Sequence, residues 1–132
     1  MSAAPVNIQL DKSPAQFEPG ELLSFEFRLA PTPAGEPTAL EVSILWYTEG
    51  KGDEEISVHF FDRVTSDTGS LRVGQVHRYS VALPNTPLSY DGVIVKIRWC
   101  VRVRVFVGRG RDFVTEEHFR LGEVPAAKPV AS

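Results

Sequence analysis

One cysteine, Cys100, excludes any disulfide within the chain. No apolar run approaches the roughly 20 residues that a membrane-spanning helix needs. Met1-Ser2-Ala3-Ala4-Pro5 lacks the charged and apolar regions of a secretory leader. Together these absences lead us to expect a cytoplasmic chain with no membrane span. Positive charge is also scarce: 14 Lys and Arg stand against 17 Asp and Glu, a formal net charge of −3. A general nucleic-acid binder needs a basic footprint, so nucleic acid is not an expected partner.

Catalytic spacing is missing as well. There is no Gly-x-Ser-x-Gly elbow, no phosphate-binding glycine loop and no pair of carboxylates in an evident cleft. His59, His77 and His118 fall on three separate strands, with no His-x-His or Cys-x-x-Cys spacing to suggest zinc. Asp53-Glu54-Glu55 lacks the alternating ligands of a calcium loop. Cys100 has arginines nearby that lower a thiol pKa, but a lone strand cysteine is more often a small packed residue. The expectation is no enzyme, no cofactor and no metal.

What the sequence does contain is alternation with a period of two. Val6–Leu10, Leu23–Leu29, Leu40–Trp46, Ile56–Phe61 and Arg78–Leu83 all alternate apolar with polar residues. In the fourth, Ile56, Val58 and Phe60 share one expected face, with Ser57, His59 and Phe61 on the other. The longest pattern runs from Gly92 to Val107, with Val93, Val95, Ile97, Trp99, Val101, Val103, Val105 and Val107 at the odd positions. At about 3.3 Å per residue it would extend roughly 50 Å, which predicts a bulge, a bend or an overhang. A hairpin at Gly108-Arg109-Gly110 leads into a last strand, Asp112–Leu121. Pro- and Gly-rich stretches separate these strands, and no helical period is evident. The expected fold class is all-β: an antiparallel two-sheet, immunoglobulin-like sandwich of seven to eight strands. It would occupy residues 6–122, between a flexible start at 1–5 and a disordered tail at 123–132.

Several segments carry a family resemblance. Phe17-Glu18-Pro19-Gly20-Glu21 before an alternating strand resembles the "Y-x-P-G-E" opening of arrestin-like domains. Leu83-Pro84-Asn85-Thr86-Pro87-Leu88-Ser89-Tyr90-Asp91-Gly92 resembles that family's "L-P-x-x-x-P-S-F/Y-x-G" loop. There the loop leads into a long strand similar to Ile97-Arg98-Trp99-Cys100-Val101-Arg102-Val103. Leu40–Thr48 sits where the family has its middle strand. The resemblance implies an arrestin-like sandwich that acts as an adaptor or scaffold without enzymatic activity. It covers one domain, whereas arrestins and the retromer arrestin-like subunit have two in tandem.

Candidate partner-binding residues lie on the long strand. Residues 96–120 hold 7 Lys and Arg against 3 Asp and Glu, while residues 1–95 hold 6 against 13. Lys96, Arg98, Arg102 and Arg104 share the face opposite the valines. One reading is a docking face for an acidic or phosphorylated segment, which arginine forks suit; the resemblance adds that arrestins sense phosphates with basic residues. The other is a solvated face with cross-strand ion pairs, each worth at most about 1 kcal/mol. The hairpin register places Arg102 opposite Glu116 and Trp99 opposite Phe119, and it sets Glu117 beside the valines unless a bulge intervenes. Apolar residues also fall on nominally polar faces: Ile94 and Phe106 on the long strand, and Leu45, Tyr47 and Phe61 elsewhere. A contiguous exposed group of these would mark an interface, and a long overhanging strand offers an edge for strand addition. The expected function is binding of another protein. The alternative is a self-assembling component whose sheet edges join identical copies into homo-oligomers.

Overall fold

A computed structural model describes residues 6–31, 35–66, 71, 73–108 and 110–122. The segments expected as a flexible start (1–5) and a disordered tail (123–132) lie outside the described residues. Among the described residues nine strands form: β1 (Val6–Leu10), β2 (Gln16–Phe17), β3 (Leu22–Leu29), β4 (Pro37–Gly50), β5 (Ile56–Thr65), β6 (Val76–Ala82), β7 (Tyr90–Asp91), β8 (Val95–Val107) and β9 (Arg111–Leu121). The fold is all-β, with no α-helix among the described residues and hence none there that is long and apolar enough to cross a membrane.

Two sheets pack face to face. The smaller has the order β1-β3-β6, and the larger has the order β2-β9-β8-β4-β5 with β7 also paired to β8. β7 occupies the β9 side of β8 beyond the last β8–β9 pair, Trp99 with Phe119. The alternating runs of β1, β3, β4 and β8 bury their apolar face because those side chains leave water there. Leu23, Phe25 and Phe27 of β3 meet Leu40, Val42 and Ile44 of β4 and Trp99, Val101 and Val103 of β8 in one core. Each large side chain buried this fully contributes about 1.5–3 kcal/mol relative to exposure. On the β5–β6 side, Tyr79 Oη donates to Asp62 Oδ2 at 2.8 Å and links the two sheets. Burial, followed by that hydrogen bond, pushes the Tyr79 hydroxyl pKa well above its ordinary value.

The two segments that carry the family resemblance meet at one end of the sandwich. Glu21 N–H donates to Glu18 O at 3.0 Å across Pro19 and Gly20, and Gly20 takes φ 81°. A turn with Pro second and a positive-φ Gly third fits both residue types. Leu83 N–H then donates to the Glu21 carbonyl at 2.9 Å. Further along the loop, Trp99 Nε1–H donates to Pro87 O at 2.8 Å, and Leu121 N–H donates to the buried Ser89 Oγ at 2.8 Å. These bonds hold the loop against β8 and β9.

Four expectations need correction. Two-residue strands carry no readable alternation, so β2 and β7 were not foreseen, and β2 runs parallel to β9 in a sandwich expected to be antiparallel throughout. The long strand begins at Val95 rather than Gly92, because Gly92 N–H donates to Val95 O and turns the chain there. β8 itself keeps an unbroken register with β9 from Trp99 to Val107. Glu117 therefore sits opposite Val101 without a bulge, and it stays exposed at the rim of the larger sheet. The breaks in register fall elsewhere: one in the β4–β8 ladder, between Pro37 and Ala39 of β4, and one in the β4–β5 ladder, where Ile44 faces Phe60 but Leu45 faces Val58, so His59 is an extra residue.

Candidate functional site

The outer face of the larger sheet carries every basic residue singled out from the sequence. Alternation sends Lys96, Arg98, Arg102 and Arg104 of β8 outward, because Trp99, Val101, Val103 and Val105 fill the core. The antiparallel ladders then set carboxylates beside three of them. Arg98 Nε lies 3.0 Å from Glu49 Oε1 of β4, Arg102 Nη2 lies 2.5 Å from Glu116 Oε2 of β9, and Arg104 Nε lies 3.2 Å from Asp112 Oδ2 of β9. The Arg104 contact is ionic only, since its Nε makes no hydrogen bond among the described residues. Arg63 of β5 pairs with Glu41 of β4 on the same face. Lys96 makes no ion pair among the described residues; with Arg120 and Arg98 it lowers the pKa of Asp91, where the Arg120 hydrogen bond has the largest effect. The arginine stripe is therefore balanced charge by charge.

Ile94 and Phe106 occupy different settings. Ile94 is exposed in the turn before β8, beside the still more open Val93. Phe106 is half-buried beneath the Arg63 guanidinium, whose carbon lies 5.4 Å from the ring centre. The two are at opposite ends of β8 and form no common patch.

Two groups on this face escaped the sequence reading. The first follows from the bulge at His59. The extra residue turns Ile56 and Val58 outward to join Phe61, leaving Phe60 against the core. Ile56, Val58 and Phe61 are 58%, 52% and 53% exposed and lie on one strand. β5 is also the last strand of its sheet, so the backbone edge away from β4 has no strand partner among the described residues. His59 Nε2 lies 2.8 Å from Ala82 O of β6 and tethers this edge to the smaller sheet.

The second group is a polar knot at the centre of the face. Cys100 and His118 are direct partners in the β8–β9 ladder, and Glu116 stands two residues along β9. A sulfur, a ring nitrogen and a carboxylate oxygen from these three lie within 4.8 Å of one another. Tyr47 Oη reaches to 2.7 Å from His118 Nε2. Burial, then Glu116 and Glu49, raises the Tyr47 pKa. Cys100 is fully buried, and burial first, then the Glu116 charge, pushes its thiol up to about 12. A thiol so protonated is a poor nucleophile. A tally of histidines alone hides this group, because only the strand register joins His118 to Cys100.

No family model and no curated protein matches the chain. Among solved structures it is similar to Spo0M, the sporulation control protein of Bacillus subtilis, with a TM-score of 0.62 and 16% sequence identity. The match covers 94% of this chain and 51% of that one, so the chain spans about half the length of its structural neighbour. The likeness supports an arrestin-like sandwich for this fold.

Proposed function

We propose that this domain is a non-catalytic protein-binding module, an adaptor or scaffold, and that it takes an extended segment of a partner along the β5 edge. The observation that carries this reading is β5 itself. It is a ten-residue edge strand whose outward residues Ile56, Val58 and Phe61 are each more than half exposed. Edge strands are commonly blunted by proline, by brevity, by charge or by a bulge. β5 has the bulge and Arg63, but no proline and full length. An added strand would gain backbone hydrogen bonds from the edge, and alternate side chains would meet the apolar row. The basic stripe suits an acidic segment less well, because Arg98, Arg102 and Arg104 already face carboxylates. An arrestin-like neighbour with a control function accords with a regulatory or adaptor role.

Self-association is the second reading, and the same edge favours it, since two copies of β5 could pair. Light scattering on the purified chain separates the two: a monomer supports the adaptor and a dimer lost in Val58→Glu supports self-assembly. For the adaptor, proteins captured from extract by the wild-type chain are compared with those captured by Val58→Glu/Phe61→Glu and by Arg104→Glu. The reading predicts a partner lost with the edge variant and retained with Arg104→Glu. Loss with Arg104→Glu alone would transfer the site to the basic stripe.

A further inference from the structure

We propose that Cys100, Glu116 and His118 form a zinc-binding site on the outer face of the larger sheet. Cys100 and His118 are paired across the β8–β9 ladder, and Glu116 is on the same face of β9. Cross-strand partners have Cβ atoms about 4.5–5.5 Å apart, which suits side chains converging on one ion. The three donor atoms already lie within 4.8 Å of one another. Sulfur, imidazole and carboxylate together suit Zn2+ better than Ca2+ or Mg2+, which favour all-oxygen shells.

Zinc distances of about 2.3 Å to sulfur and 2.0–2.2 Å to nitrogen and oxygen put donors roughly 3.3–3.7 Å apart in a tetrahedron. Closing from the present spacing takes about an ångström. Side-chain rotation supplies it, because His118 is exposed and Glu116 only half-buried, while buried Cys100 anchors the site. Ligation through His118 Nδ1 leaves Nε2 bonded to Tyr47 Oη at 2.7 Å, and Tyr47 then holds the imidazole in place, as outer partners of metal-bound histidines do. Arg102 competes for Glu116, with its Nε 2.6 Å from Oε2. A carboxylate has a second oxygen to offer, but the guanidinium charge weakens the site, so binding is reversible rather than a condition of folding. Three protein donors leave the fourth position to water. On binding, the Zn–S bond replaces the S–H bond and the proton passes to solvent, with no change in oxidation state.

The test uses cobalt as a spectroscopic substitute for zinc. Co2+ is titrated into the reduced, full-length chain, and the thiolate-to-cobalt charge-transfer absorption is followed in the near ultraviolet. The expected result is saturation at about one equivalent, displacement by Zn2+, and loss of the band in Cys100→Ser. His118→Gln and Glu116→Gln should each weaken Co2+ binding at least about tenfold, and Tyr47→Phe by about tenfold. His118 is exposed on the sheet face, so its variant tests the site without disturbing the core. No charge-transfer band in the wild type, or a band unchanged in His118→Gln and Glu116→Gln, would overturn the proposal.

Discussion

His77 illustrates what a single inward-facing polar side chain does in this sandwich. It is buried on β6, its ring stacks on Phe27 with centroids 5.0 Å apart, and its Nε2 has no hydrogen bond among the described residues. Burial lowers its pKa below the ordinary value of 6.5. The folded state then binds fewer protons than the unfolded chain in the window between the lowered pKa and 6.5. Its stabilising effect is complete above that window and is lost as pH falls through it. His77→Phe keeps the stacked ring and removes the titration. We expect the melting temperature of the variant to fall less than that of the wild type between about pH 7 and pH 5. Parallel curves would assign the acid sensitivity to other groups. Glu21 has the same sign for a different reason: the Glu18 N–H and Lys12 hold its carboxylate pKa low. Gly50 shows a backbone constraint. At φ 138°, a Cβ there would lie 2.0 Å from the Ile94 carbonyl oxygen, where the β4–β5 tip crosses the turn before β8. Gly50→Ala should therefore cost at least about 1–3 kcal/mol in denaturant unfolding. A neutral result would show that the two tips are not in contact.

At the scale of the strands, much was legible because period two has one dominant cause, the burial of one face. The odd residues Trp99 to Val107 read as core and are core, and the Arg102–Glu116 register follows from the hairpin alone. The bulge was not legible. Ile56-Ser57-Val58-His59-Phe60 alternates on paper and only Phe61 departs from the pattern, but the His59 imidazole reaches the Ala82 carbonyl and Phe60 fills the core against Tyr79. Those long-range contacts reverse the face of Ile56 and Val58 relative to the one alternation assigned. The candidate edge was hidden for the same reason: the sequence shows a strand but not its place in the sheet. The long strand, whose overhanging ends were to offer an edge, lies as β8 between β4 and β9, with β4 alongside it from Val95 to Val107. The polar knot was equally out of reach, since the strand pairing rather than any local spacing joins Cys100 to His118.

For the molecule as a whole, the unequal sheets decide which surfaces are left to bind. The three-stranded sheet covers the valine face of the larger one, and the opposite face keeps paired charges at its centre and an apolar row along β5. The direct measurement is amide hydrogen exchange, residue by residue, with and without a partner recovered by capture. Docking along the β5 edge predicts new protection at alternate amides within residues 56–65 and little change in β8 and β9. Protection confined to β8 and β9, with β5 still exchanging freely, would contradict it.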